Sequence, residues 1–197
     1  MKRAALGVQM HSGWGVLVAV SETPVEILDR RRMVAADPKI PGAIQPYHFA
    51  AQLERSQRQQ NLEHCASSSS SLAKIAIAEL VGELVARKYR IVGAAILLAS
   101  GRTLPVLEKI LAAHPLIHTA EGEFFRQAVI RACDELQIPV TAIRVRDLDE
   151  QVKVAFGKTA SQLQSIIATM GSRIGPPWTK DHKTAALAAA LVLAKSC

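Results

Sequence analysis

Aromatic side chains are scarce in this chain: two Trp, two Tyr and four Phe, 4% of 197 residues. The core must therefore be built from Ala, Leu, Ile and Val, and few rings remain for the stacking platforms that bind single-stranded nucleic acid. Cysteine is rarer still. Cys65, Cys133 and Cys197 are widely spaced, odd in number and without a Cys-x-x-Cys pair. This excludes a disulfide framework and a zinc ribbon, and it fits reduced thiols in the cytoplasm. Long apolar runs are missing too. The stretch after Met1-Lys2-Arg3 is broken by Gln9, His11 and Ser12, too short and too polar for the centre of a signal peptide. The apolar stretch from Ala185 to Ala194 falls short of the ~20 residues a membrane span needs. The expectation is a cytoplasmic protein with no membrane partner. Gly13 and Gly15 lead into a strand without the Lys and Ser or Thr of a phosphate loop, and there is no Gly-x-Ser-x-Gly elbow.

What is present is an ordinary globular balance, 49% hydrophobic and 21% charged, in a length suited to one domain. Lysine and arginine number 24 against 17 acids, a net charge of +7 that favours polyanionic partners.

Periodicity gives the order of elements. Residues 4–8 form an apolar strand, Ser12-Gly13-Trp14-Gly15 a turn, and Val16 to Val20 a second strand. After a turn at Thr23-Pro24 a third strand runs from Val25 to Val34, with Val25, Ile27 and Met33 on one face and Glu26, Arg30 and Arg32 on the other. Prolines at 38, 41 and 46 mark a loop, a polar helix follows near residues 52–60, and Ser67 to Ser71 reads as a flexible linker ending in a helix cap. A helix is expected over 72–90, with Leu72, Ile75, Ala76, Leu80 and Leu84 on one face, then a buried strand over 91–99 and a short helix over 103–113. The clearest helix spans 119–136, its stripe formed by Phe124, Phe125, Ala128, Val129, Ala132, Cys133 and Leu136. A fifth strand over 140–145, helices over 147–156 and 161–170 (the latter with a Ser161 capping box), a loop over 171–179 and a helix over 181–195 complete the chain.

This is α/β: three antiparallel strands, then parallel βα units, making a mixed five-stranded sheet flanked by helices. Within that order, Ala5-Leu6-Gly7-Val8-Gln9 is similar to the first strand of the ribonuclease H-like superfamily, which usually ends in Gly, an aliphatic residue and Asp. Asp181-His182-Lys183-Thr184-Ala185-Ala186-Leu187-Ala188 resembles its closing helix, which usually carries two Asp three apart before an Ala-rich run. Between them Phe124 to Leu136, Ile138-Pro139-Val140, Gln151-Val152-Lys153 and Gly157-Lys158 follow the same order, closest to the Holliday-junction resolvase branch. The resemblance implies a single ribonuclease H-like domain over 1–197, with a loop and helix inserted at 35–71.

In that superfamily two magnesium ions, held by carboxylates on the first strand, the fourth strand and the last helix, hydrolyse phosphodiesters. At the matching positions this chain has Gln9, Leu97-Leu98-Ala99-Ser100 without an acid, Asp181, and Thr184. Gln9, His11, Asp181, His182 and Thr184 are thus the positions of a degenerate catalytic site. Asp181 reads as a helix N-cap or a relic metal ligand. His11, Asp181 and His182 would meet at one sheet edge, where imidazoles could hold one divalent ion, zinc, nickel or manganese; no other cofactor is expected.

Lys153, Lys158, Arg173, Lys180 and Lys183 are the candidate nucleic-acid contacts, and Arg30-Arg31-Arg32 a solvated strand edge or a phosphate contact. His114, His118 and Glu121 have a metal-like spacing, but Pro115 between the histidines reads as a helix break, so they are expected in a loop, with Glu121 and Glu123 facing solvent. The leading expectation is a domain that binds DNA, RNA or a protein partner without cleavage. The alternatives are a divergent metal-dependent nuclease or phosphodiesterase using His11, Asp181 and His182, and a scaffold or homodimerisation module.

Overall fold

The computed structural model describes residues 1–22, 25–99, 101 and 103–195. The turn expected at Thr23-Pro24, together with Ser100 and Cys197, lies outside them.

Strands β1 (Lys2–His11), β2 (Trp14–Glu22) and β3 (Val25–Val34) form an antiparallel meander. The β1–β2 turn is tighter than expected. Only Ser12 and Gly13 form it, Gly13 taking the positive φ of 77° that such a turn needs. Trp14 and Gly15, expected in the turn, begin β2, and Trp14 faces His11 across the ladder. In β3 the pairing jumps between Ala19–Asp29 and Val20–Ile27, which leaves Leu28 as an extra residue. That bulge reverses the alternation. Ile27 therefore faces one layer of the core and Met33 the other, not the single face expected.

Strand β4 (Tyr89–Leu98) pairs parallel with β1, and β5 (Val140–Arg144) pairs parallel with β4. The sheet order is β3-β2-β1-β4-β5, with β3 at an edge. This is the expected mixed five-stranded sheet.

Helices α1 (Pro46–Ala50), α2 (Arg55–Ala86), α3 (Leu107–Leu111) and α4 (His114–Glu135) lie on one side. Here Leu6, Val8, Leu17 and Ile96 pack against Ile77 and Leu80 of α2 and Phe125 and Val129 of α4. On the other side α5 (Leu148–Phe156), α6 (Ala160–Thr169), α7 (Gly171–Ile174) and α8 (Lys180–Lys195) cover Ala5, Val18, Leu97 and Ile143.

The five serines form no linker. They lie inside the 32-residue α2, which runs unbroken where a polar helix, a linker and a second helix were expected. Serine is a mediocre helix former, but tertiary packing overrides so weak a preference. Ser69 is buried and its hydroxyl donates to the Ala35 carbonyl at 2.6 Å, fastening α2 to the end of β3. The buried stripe of α2 is Leu62, Cys65, Ser69, Ala73, Ile77, Leu80 and Leu84, so Ile75 points outward. Pro115 does not break a helix either. It sits in the first turn of α4, where proline is tolerated because its missing N–H would have had no partner there. α3 is shorter than the helix expected at 103–113, Gly171–Ile174 is a helical turn rather than loop, and α6 begins at Ala160 with no side-chain cap from Ser161.

Helix α8 approaches the sheet closely because both surfaces are small. Ala185, Ala186, Ala188 and Ala189 are buried, and a Cβ built on Gly7 would lie 1.9 Å from the Ala185 carbonyl oxygen. The helix N-terminus is thereby set beside the C-terminal end of β1.

Burial also fixes the thiol chemistry. Cys133 is fully buried on α4, and desolvation of the thiolate pushes its thiol up to about 12. At pH ~8.5 roughly one thiol in three thousand would be ionised, against about half for an ordinary cysteine. Alkylation of the native protein at that pH should leave Cys133 unmodified, whereas urea should expose it. Peptide mass mapping of residue 133 checks this, and rapid native labelling would contradict the burial.

Candidate functional site

The two-residue β1–β2 turn brings His11 and Trp14 side by side on the α8 face. Their rings stack with centroids 4.5 Å apart and planes inclined by 21°. On the next strand the Arg32 guanidinium lies 3.9 Å from the centre of the Trp14 ring, a cation–π contact. From the other side, the Asp181 carboxylate in the first turn of α8 takes a hydrogen bond from His11 Nε2 at 3.0 Å. A continuous row results, Asp181–His11–Trp14–Arg32, running from the head of α8 across three strands.

Asp181 therefore turns its side chain to His11, not to the helix N-terminus. Both side chains are about one-third exposed, 39% and 32%, so even with a protonated ring the pair contributes on the order of 0.2–1 kcal/mol. The positive end of the α8 dipole also favours the carboxylate.

His182 does not join this row. It is buried, and its Nδ1 accepts hydrogen bonds from the Thr179 hydroxyl at 2.8 Å and the Thr179 backbone N–H at 3.2 Å. It acts as the third-position residue of a capping box acts, reaching back to the residue before the helix. Burial, followed by the neighbouring Arg30 charge, lowers its pKa, and Asp181 offsets only part of this. Burial and the Arg30 charge both disfavour the protonated ring. Thr184, on the same helix, donates its hydroxyl to the Lys180 carbonyl at 2.9 Å. Gln9 lies two residues before His11 on the same side of β1 and is half-buried.

Arg30 holds the far wall. Its guanidinium donates to the carbonyls of Ile174 at 3.1 Å, Pro176 at 2.9 Å and Pro177, fixing the segment before α8 against β3. Trp178 Nε1 donates to the Ile167 carbonyl at 2.8 Å and ties the same segment to α6. Arg31 points to the opposite side of the sheet, pairing with Asp29 and with Glu83 of α2. The three arginines thus divide, as strand alternation requires: one anchors a loop, one is neutralised by acids, and Arg32 remains exposed.

Between these walls lies a cleft of about 410 Å³, lined by Trp14, Val16, Arg30–Arg32, Pro177, Thr179, Asp181 and His182. Asp181 is its one carboxylate.

Of the five basic residues marked from the sequence, Lys180 and Lys183 lie on the first turn of α8, and Arg173 is on α7, in the segment leading to it. Lys153 is elsewhere. Its neighbour Gln151 accepts a hydrogen bond from Lys195 at 3.0 Å, which puts that part of α5 at the opposite end of α8, ~20 Å away along the helix. Lys158 follows α5 on an exposed turn. None of the five forms an ion pair among the described residues.

On the other side of the sheet, His114 and His118 lie on α4 and not in a loop, and Glu121 is only 2% exposed, against the expectation of a solvent-facing residue. They are joined by His48 of α1. The sequence marked neither His48 nor Trp14. Trp14 was discoverable from the Ser12-Gly13 turn, whereas His48 lies 66 residues before His114 with no local pattern to connect them.

No family model and no curated protein matches this chain. Solved structures do. RuvC of Thermus thermophilus in complex with Holliday junction substrate superposes over 96% of this chain and 91% of its own, with a TM-score of 0.51 and 16% identity. A second Thermus thermophilus RuvC structure covers 95% of this chain and 92% of its own, at a TM-score of 0.53 and 12% identity. The fold is ribonuclease H-like, as in those structures. No helix among the described residues is long and apolar enough to cross a membrane.

Proposed function

We propose that this chain is a ribonuclease H-like domain that holds nucleic acid at the α8–β1 cleft without hydrolysing it. The observation that carries the reading is the chemistry of that cleft. A magnesium pair needs several hard oxygen donors, and here the cleft offers one carboxylate already bonded to His11, beside a neutral amide and a hydroxyl committed to its own helix. His182 adds no oxygen donor, and its Nδ1 is engaged by Thr179. The donor set does not fit two magnesium ions, and no hydrolytic step is assigned.

The set does suit a bound strand. Arg32 is an exposed cation, and Lys180, Lys183 and Arg173 stand around the head of α8, a set of charges suited to phosphates. Thermus thermophilus RuvC in complex with Holliday junction substrate makes branched DNA the first probe.

The test is fluorescence anisotropy of labelled branched, duplex and single-stranded DNA and RNA, with magnesium or manganese, over a salt series. Binding that weakens steeply with salt while the probe stays intact is the expected result. Arg32→Ala should weaken it by roughly ten-fold, as loss of a charged phosphate contact does. A fall in signal that EDTA prevents would overturn the reading in favour of a nuclease. No binding at low salt would overturn it in favour of a protein partner or a second copy of the chain.

A further inference from the structure

We infer that His48, His114 and His118 form a binding site for one divalent transition-metal ion of the zinc class, with Glu121 as the residue that orients His48. The site lies on the α1–α4 side of the sheet, away from the Asp181 cleft, and does not rest on the nucleic-acid reading.

The geometry begins with spacing. His114, His118 and Glu121 stand four and then three residues apart on α4, so all three lie on one helical face. The short helix α1 sets His48 opposite them. One ring nitrogen from each histidine lies within 4.8 Å of the others, and the ring centroids are separated by 4.4 to 5.5 Å. Tetrahedral zinc with bonds of 2.0–2.1 Å needs nitrogens about 3.3 Å apart. The closure required is thus ~1.5 Å at most, and His114 and His118 are exposed and able to turn.

The second observation is Glu121. Its Oε1 accepts from His48 Nδ1 at 3.1 Å and from the backbone N–H groups of Tyr47 at 2.9 Å and His48 at 3.0 Å. That bond fixes the His48 proton on Nδ1 and leaves the Nε2 lone pair for a metal, the carboxylate–histidine arrangement that supports metal ligands elsewhere. The other oxygen, Oε2, is buried and has no hydrogen-bond partner among the described residues. A buried carboxylate without a counter-charge is costly, and a cation bound through His48 would offset that cost. Three imidazoles without thiolates favour zinc, cobalt, nickel or copper over magnesium or calcium. Three protein ligands also leave the fourth position to water or to an outside donor. Bound metal would clip α1 to the head of α4.

The experiment uses the untagged full chain, extracted with chelator, titrated with zinc by calorimetry and with cobalt by visible absorption. One equivalent should bind, the cobalt spectrum should show tetrahedral nitrogen–oxygen ligation without thiolate bands, and the melting temperature should rise by several degrees and fall again with EDTA. His118→Ala, an exposed position, should keep the fold by circular dichroism and lose the equivalent. Glu121→Gln should weaken affinity by roughly 10- to 100-fold, and His64→Ala, exposed on α2 outside the cluster, should leave it unchanged. Undiminished binding by folded His118→Ala, equal loss in His64→Ala, thiolate bands, or no binding by the unaltered chain would each overturn the assignment.

Discussion

Replacing Gly7 by alanine should lower the stability of this protein by about 3 kcal/mol or more, the upper end of what one added methyl costs in a packed core. The clash is with backbone and not with a flexible side chain. The new Cβ would stand 1.9 Å from the Ala185 carbonyl oxygen and 3.2 Å from its Cα. Neither can rotate away, so the whole of α8 must lift from β1. In doing so it would loosen Ala5, Val18 and Leu97, which it covers, and draw Asp181 from His11. The apparent melting temperature should fall by roughly 10 °C for a chain of this size, and any binding that uses the cleft should fall with it. Gly82→Ala is the matching control. Nothing lies within 4 Å of a Cβ there, on a helix where alanine is preferred by roughly 0.5–1 kcal/mol. Urea denaturation of the two variants should therefore shift in opposite directions. A Gly7→Ala midpoint within experimental error of the parent would show that α8 is not seated as described.

Phe125→Ala should lower stability by about 3–5 kcal/mol through loss of buried surface and the cavity it leaves. Phe125 is the largest wholly buried side chain, set between α4 and the sheet in the core that includes Leu6, Leu80 and Ile96. The core around it is mostly aliphatic and alanine, and the adjacent Phe124 ring, its centroid 5.1 Å away, already packs edge-on. Phe125→Leu should cost less, because it removes volume without emptying the site. The ordering Ala worse than Leu worse than parent, read from urea midpoints at constant slope, is the expected outcome. Equal midpoints for the alanine and parent chains would mean that α4 is held by its ends and not by this contact.

The fold was largely legible from periodicity, since β1, β2, β4, β5 and α4 each carry their own apolar pattern. What escaped was set by neighbours distant in sequence. The serine run reads as linker because local preference cannot register that Ser69 has the Ala35 carbonyl to meet. Leu28 bulges to let two faces of β3 serve two cores, which strict alternation cannot announce. Pro115 was misread by attending to its ring and not to its place in the first turn. At the cleft, Gln9, His11 and Asp181 were found through the resemblance, and the structure unites His11 with Asp181 across 170 positions. His182 was grouped with them through the same layout; it lines the cleft beside Asp181, with Nδ1 bonded to Thr179.

Helix α8 follows every strand in the chain, yet it supplies the centre of one entire face of the sheet. During synthesis the α2–α4 face can therefore close first, while the opposite face waits with Val16, Val18 and Leu97 uncovered. For that interval the nascent chain presents an apolar sheet to whatever surrounds it, as incompletely assembled domains do. The head of α8 then delivers Asp181 to His11 as the last face closes, so the cleft comes into being only with the completed fold. A half-made chain would have a sticky surface but no cleft.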